Sequence, residues 1–180
     1  CVNIALGCLC KDDLPDVVVS GINIGQNLGL PLLWSSGTFS AAAEAAGAGV
    51  MAVAASLQLS NEFYESCRIN HETPPKKLDN ILRSACAHCA NFVREKFESK
   101  DARLGSVFNI NYPSEYSSST PFVECEPASV KILPFYRQDE NGKFSFKYAI
   151  DGGRSVGGKK TDIECLKSGV ACYSSICVRP

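Results

Sequence analysis

The residues best suited to chemistry lie between positions 16 and 44. Gly21-Ile22-Asn23-Ile24-Gly25-Gln26-Asn27-Leu28-Gly29 follows a β-branched run, and Ser35-Ser36-Gly37-Thr38 opens an alanine-rich stretch whose one charge is Glu44. Asn23 and Asn27 bring amide oxygens and NH2 groups, which ligate a hard cation or bond a phosphate oxygen. Ser36 and Thr38 add hydroxyl donors, and Gly37 lets a ligand approach the backbone. A helix starting here presents unpaired N–H groups and its positive dipole end, a ready anion site. Spacing alone leaves a plainer account open, a turn followed by an N-cap.

Other candidates are weaker. Residues 153–160 nearly spell the phosphate-loop pattern, but Lys160 stands where Ser or Thr is required and no buried parallel strand precedes it. Gly21, Gly25 and Gly29 recur every fourth residue, which is not the dinucleotide fingerprint G-x-G-x-x-G. His71 falls in a polar stretch and His88 beside Cys89, where structural roles are the simpler reading. Asp162 reads as a first-turn carboxylate behind the cap residue Thr161. Lys159 and Lys160 read as a solvated loop. Cys86-Ala-His-Cys89 has no second C-x-x-C to complete a zinc site. It lies in a helical pattern (Leu78, Ile81, Leu82, Ala85, Cys89, Phe92, Val93), which puts both sulfurs on or beside a buried face.

These residues need elements to position them, and the chain supplies an α/β order. Val17-Val18-Val19 reads as a strand buried on both faces, with a loop from Gly21. Ser40 to Ala48 reads as a helix and Val50 to Ala54 as a second buried strand, which together make a βαβ unit with a parallel sheet. Residues 57–77 read as a polar surface insertion, 77–97 as a helix and 104–112 as a strand stopped by Pro113. Residues 123–136 and 143–150 flank Asp139-Glu140-Asn141-Gly142, a hairpin signal, with one face of the second arm buried. Thr161 to Glu164 fits the capping box of a short helix, and 170–178 is the last strand.

Composition narrows the function. Hydrophobic residues make up 45% of the 180 residues and the net charge is −1, so the chain is globular and lacks the basic surplus of a nucleic-acid binder. No apolar run reaches the roughly 18 residues of a membrane span. The ten cysteines sit largely in apolar runs, as free thiols do in a reducing compartment such as the cytoplasm.

Pro15-Asp16-Val17-Val18-Val19-Ser20-Gly21-Ile22-Asn23-Ile24-Gly25-Gln26-Asn27-Leu28-Gly29 resembles the signature of the SurE survival-protein phosphatases, also called 5′/3′-nucleotidases. Ser36-Gly37-Thr38 and the helix with Glu44 are similar to that family's second motif. Asn109-Ile110-Asn111-Tyr112-Pro113, Thr161-Asp162 and Gly169-Val170 are further echoes. The resemblance implies a Rossmann-like three-layer α/β/α core with a mostly parallel sheet and a protruding β-hairpin. It implies one domain over 1–180, with an α/β core portion to 113, a hairpin arm over 114–160, and a short helix and strand over 161–180. It further implies hydrolysis of nucleoside monophosphates or other small phosphomonoesters with a divalent metal, Mn2+ or Mg2+, and assembly as a dimer or tetramer.

By that resemblance Asn23 is a metal ligand, and Asn27, Ser36, Gly37 and Thr38 hold the phosphate. The family's Asp-Asp pair and its metal-binding Ser would precede Cys1. Asp12-Asp13, lying in a polar loop, do not replace them. The chain therefore reads as a piece of a longer enzyme, inactive or nearly so by itself. Two other readings stay open: a catalytically dead SurE-like module for assembly or small-ligand binding, and a thiol-based metal or redox protein using Cys86 and Cys89.

Overall fold

The computed structural model describes residues 1–64, 76–99, 105–130, 136–146, 155 and 157–178. A short helix α1 (Val2–Ile4) runs on through Ala5–Leu9 as a π-turn. Then follow β1 (Val17–Ile24), α2 (Leu30–Leu33), α3 (Gly37–Gly47), β2 (Met51–Leu57), α4 (Lys76–Glu98), β3 (Ser106–Tyr112) and β4 (Phe122–Glu124). The hairpin strands β5 (Tyr136–Gln138) and β6 (Phe144–Phe146), helix α5 (Asp162–Lys167) and β7 (Ala171–Cys177) complete the order. The main sheet runs β1-β2-β3-β7-β4. Its first three strands are parallel, β7 is antiparallel to β3, and β4 is parallel to β7. This is the expected α/β architecture.

The β2 sequence shows why two helical layers form. Its Ala52 and Ala54 meet the small residues Ala42, Ala45 and Ala46 of α3, so helix and sheet approach closely. Met51, Val53, Ala55 and Leu57 point the other way and pack under α4 through Leu78, Ile81, Ala85, Cys89 and Phe92. Each large apolar side chain buried there stabilises the fold by about 1.5–3 kcal/mol. Ser36 caps α3, its Oγ accepting from Phe39 N at 3.2 Å. At α5 the full capping box is present, with Thr161 Oγ1 accepting from Glu164 N and Thr161 N donating to Glu164 Oε2.

Several local expectations change. The first strand does not stop at Val19: it continues through Gly21–Ile24, so the loop begins at Gly25. Among the described residues only β2 pairs with it, and Val19 is 46% exposed, so the strand is not buried on both faces here. Gly21 explains the continuation, since its φ is +122° and a methyl there would run into Ala55 O on β2. Within 57–77, Leu57 belongs to β2 and Phe63 is buried in the core, so the start of that stretch is not a surface insertion; 65–75 lie outside the described residues, and with them His71. Residues 122–124 join the main sheet instead of the hairpin. Among the described residues the hairpin strands pair only with each other, and Phe144 is exposed, so the expected alternation of the second arm fails at the position where it is described; 147–150 lie outside the described residues.

Beside α4, His88 Nδ1 lies 3.0 Å from Tyr112 Oη, and its ring meets those of Phe122, Tyr112 and Tyr116 edge-on. Burial lowers the His88 pKa below the ordinary histidine value. Folding thus favours the neutral ring, and the stabilisation is lost as the pH falls below about 6.5. Thermal unfolding is expected to show a falling Tm between about pH 7 and pH 5, and His88→Gln should flatten that slope. An equal slope in the variant would remove His88 as its source.

Candidate functional site

The parallel strands β1, β2 and β3 end along one edge of the sheet, and the loop from Gly25 to Gly29 is pinned across it. Asn27 is the point of attachment. Its backbone N–H donates to Asn111 Oδ1 at 2.9 Å. Its carbonyl accepts from Asn109 Nδ2 at 3.0 Å and from Asn111 Nδ2 at 2.9 Å. Its own Nδ2 donates to Ser56 Oγ at 2.8 Å. Asn109 and Asn111 alternate with Phe108 and Ile110, so they share the α3-facing side of the sheet with Val107, as Ser56 does with Ala52 and Ala54. Asn109 and Ser174 are opposite one another in the β3–β7 ladder; Asn109 Oδ1 and Ser174 Oγ are buried without a hydrogen-bond partner among the described residues.

A second clamp comes from the other side. Asp162 has no exposed surface. Its Oδ2 accepts from Gly29 N at 2.8 Å, and its Oδ1 from Ala128 N at 2.9 Å and Ile163 N at 2.8 Å. One carboxylate thereby joins the Asn loop, the segment after β4 and the start of α5. Leu30 N also donates to Ala128 O, and Leu28, Ala128, Ile163 and Leu166 pack together around the junction. Burial pushes the Asp162 carboxyl above the ordinary aspartate value, while the three backbone N–H groups pull the other way.

The start of α3 belongs to the same end of the molecule, since the crossover helix between parallel strands begins where β1 finishes. The N–H groups of Gly37 and Thr38 are the ones a helix leaves without an intrahelical acceptor. A Cβ built on Gly37 meets nothing within 4 Å, so this helix start opens onto free space. Ser36 Oγ accepts from Phe39 N and keeps its own hydrogen for another acceptor. Asn27 is more committed than expected: beyond its bonds to Ser56, Asn109 and Asn111 it retains one Nδ2 hydrogen and Oδ1. Only that hydrogen suits a phosphate oxygen.

Asn23 stands apart from the Asn27 network. Its Nδ2 donates to Gly25 O at 2.9 Å, leaving Oδ1 as its donor atom for a cation. Asp12 and Asp13 are exposed. Among the described residues no carboxylates or imidazoles gather in a group of three. Hard divalent cations take about six oxygens, several of them charged, so Asn23 supplies only part of the set that Mn2+ or Mg2+ needs.

The remaining motifs do not form sites. Cys86 is exposed while Cys89 is buried, with its thiol pushed up to about 11 by burial, so the two do not share the apolar face. Lys159 pairs with Glu124 at 3.3 Å on the surface. Residues 153–157 also spell the nucleophile-elbow pattern G-x-S-x-G. Ser155 Oγ instead donates to Glu126 Oε2 at 3.2 Å and accepts from Gly158 N at 2.8 Å, as a turn residue does, and the one described histidine, His88, bonds Tyr112.

Ser56 escapes motif reading altogether, while Asn109, Asn111 and Asp162 stand in the sequence as family echoes, with Asp162 read as a first-turn carboxylate and their part in holding the loop unseen. Two asparagines spaced by two inside an otherwise apolar strand are a usable signal, since buried amides need partners. At Asp162 the signal is subtler: Thr161 and Glu164 already complete the cap, so the aspartate between them is free for other work. Asp162→Asn keeps an acceptor for Ala128 and Ile163 but turns an NH2 against Gly29 N–H. It is expected to cost about 1–3 kcal/mol in denaturant unfolding and to speed hydrogen exchange at Gly29. Unchanged exchange at Gly29 would exclude the clamp.

The comparisons agree with this architecture. The family model described as "Survival protein SurE" matches residues 1–138. A "5'-nucleotidase SurE" of Vibrio parahaemolyticus is 51% identical over 157 residues, covering 86% of this chain and 59% of the relative. One from Methanocaldococcus jannaschii is 37% identical over 112 residues, covering 60% of this chain and 37% of that protein. The crystal structure of the SurE protein from Aquifex aeolicus superposes with a TM-score of 0.65 at 21% identity, over 99% of this chain and 66% of that one. The chain thus spans somewhat over half the length of the Vibrio relative. It belongs to the SurE family.

Proposed function

We propose that this chain carries the phosphate-holding part of a metal-dependent phosphomonoesterase that acts on nucleoside 5′- or 3′-monophosphates. The observation that supports it most is the open start of α3, with Gly37, Thr38 and the Ser36 hydroxyl, at the same sheet edge as the pinned Asn27 loop. A phosphate seated there accepts from the Gly37 and Thr38 N–H groups, from the Ser36 and Thr38 hydroxyls, and from the free Asn27 Nδ2 hydrogen. The same donors, fixed before the reaction and aimed along the helix dipole, stabilise charge that develops on the phosphoryl oxygens. Membership of a family whose Vibrio relative is named a 5'-nucleotidase supports the substrate class.

In this reading Asn23 supplies one metal ligand through Oδ1. The described residues do not complete the set, and the chain by itself binds phosphate without appreciable turnover. Tyr136 and Phe144, exposed on the β5–β6 hairpin, are the surface through which dimers or tetramers form. The enzyme works in the cytoplasm, a reducing compartment that suits its ten cysteines.

Phosphate release from nucleoside 5′- and 3′-monophosphates, with Mn2+, with Mg2+ or with chelator, tests the proposal on this chain and on one extended at its N-terminus. Turnover is expected only in the extended, metal-loaded protein, and Asn23→Ala in it should abolish that turnover. Full activity of the 180-residue chain, or of the Asn23→Ala protein, would overturn the assignment. Thr38→Val removes one charge-assisted hydrogen bond, worth about 1.5–3 kcal/mol, and should weaken inorganic phosphate binding at least about tenfold.

A further inference from the structure

Three thiols outside this site converge in the core. Cys125 follows β4, Cys165 lies in α5 and Cys172 in β7, and their Sγ atoms all lie within 4.8 Å of one another. All three are buried, with Val123 and Val170 packed around them. No other group of three metal-ligating side chains converges among the described residues. The scaffold is well tied: Cys125 N donates to Tyr173 O at 2.8 Å, Val170 N to Cys165 O at 3.0 Å, and Val123 stands in register with Cys172. The cluster also has an approach from outside. A surface cleft of about 650 Å3, lined by Val123, Glu124, Lys159, Lys160 and Val170, reaches Cys165.

The surroundings select the ligand. A monovalent or divalent cation on three thiolates leaves net negative charge in an apolar pocket, which is costly. Zinc also wants a fourth ligand, and no carboxylate or imidazole joins the cluster. A trivalent thiophilic hydroxide avoids both difficulties. Arsenous acid, As(OH)3, reacts with three thiols to give As(SR)3 and three waters. Three As–O bonds break, three As–S bonds form, the thiol protons leave in the water, and arsenic keeps its oxidation state. The product is neutral.

We infer that Cys125, Cys165 and Cys172 form a three-sulfur binding site for trivalent arsenic. With bonds near the Zn–S length of about 2.3 Å, the sulfurs of such a complex sit roughly 3.5–4 Å apart, so closing the site takes shifts of less than about 1 Å. Burial raises the Cys165 thiol above its ordinary pKa, which keeps it in the protonated form that the exchange consumes. The site also abuts the clamp of the Asn loop, with Cys172 Sγ 4.0 Å from Asp162 O.

The test uses arsenite on a reduced chain in which Cys1, Cys8, Cys10, Cys67, Cys86 and Cys177 are Ser. Cys89 is then the one thiol outside the cluster, and a single sulfur does not satisfy three-coordinate arsenic. Native mass spectrometry should show one adduct, a gain of one arsenic less three hydrogens, and X-ray absorption at the arsenic edge should show three sulfur neighbours. Adding Cys165→Ser should weaken retention at least tenfold. No adduct, or oxygen in the arsenic coordination shell, would overturn the site. Both of those readouts need no cluster variant, so misfolding of Cys165→Ser leaves the question decidable; equal retention in a folded Cys165→Ser chain would overturn it as well.

Discussion

Asn27 is held by its own peptide group, and the rest of the site follows from that. A loop crossing the end of a sheet has backbone donors and acceptors that no ladder satisfies, and burying them unpaired would cost more than the loop can repay. Here two strand asparagines do the work of a missing strand. Asn111 takes the Asn27 N–H and, with Asn109, returns two N–H groups to its carbonyl. The position of the loop is therefore inherited from β3. That strand is in turn set by the apolar residues that alternate with the asparagines, Phe108 and Ile110 beneath α4 and Val107 beneath α3.

Asp162 extends the same logic across the molecule. It comes from α5, more than a hundred residues away in sequence, and completes the pairing of Gly29 where the loop turns into α2. Between the two clamps the loop has little freedom left. Fixed donors matter for an anion site because dipoles already in place need no reorganisation when charge develops. The α3 start gains its position from a different source, the close seating of alanine against alanine, which leaves no room for the helix to slide. Rigid core on one side and rigid polar contacts on the other place the two halves of the site at one edge.

What the sequence disclosed follows this division. The α/β order, the Ser36 cap and the Thr161–Glu164 capping box were legible because they rest on local patterns, periodicity and short-range hydrogen bonds. The alternation in the second hairpin arm misled at Phe144, which is exposed, because period-two patterning does not say what, if anything, covers a strand's apolar face. The extent of β1 was missed because its second half, Gly21–Ile24, reads as turn chemistry until Ala55 is seen beside it. The candidate residues Asn27, Ser36, Gly37 and Thr38 were visible as types; that Asn27 spends most of its bonds on the scaffold was not, since its partners lie 29 and 84 positions away. The cysteine cluster stayed hidden for the same reason, one residue just past β4 and two others in α5 and β7 that only tertiary packing unites.

Native-state hydrogen exchange at Asn27, compared between this chain and Asn111→Ala, reads the asparagine clamp itself. The Asn27 amide of the unaltered chain should exchange nearly as slowly as those of β2 and β3. In the variant it should exchange at least about tenfold faster while the strands stay protected, the effect of losing about 1.4 kcal/mol or more of local stability. Fast exchange at Asn27 in the unaltered chain, or equal protection in the variant, would contradict a site built on that asparagine clamp.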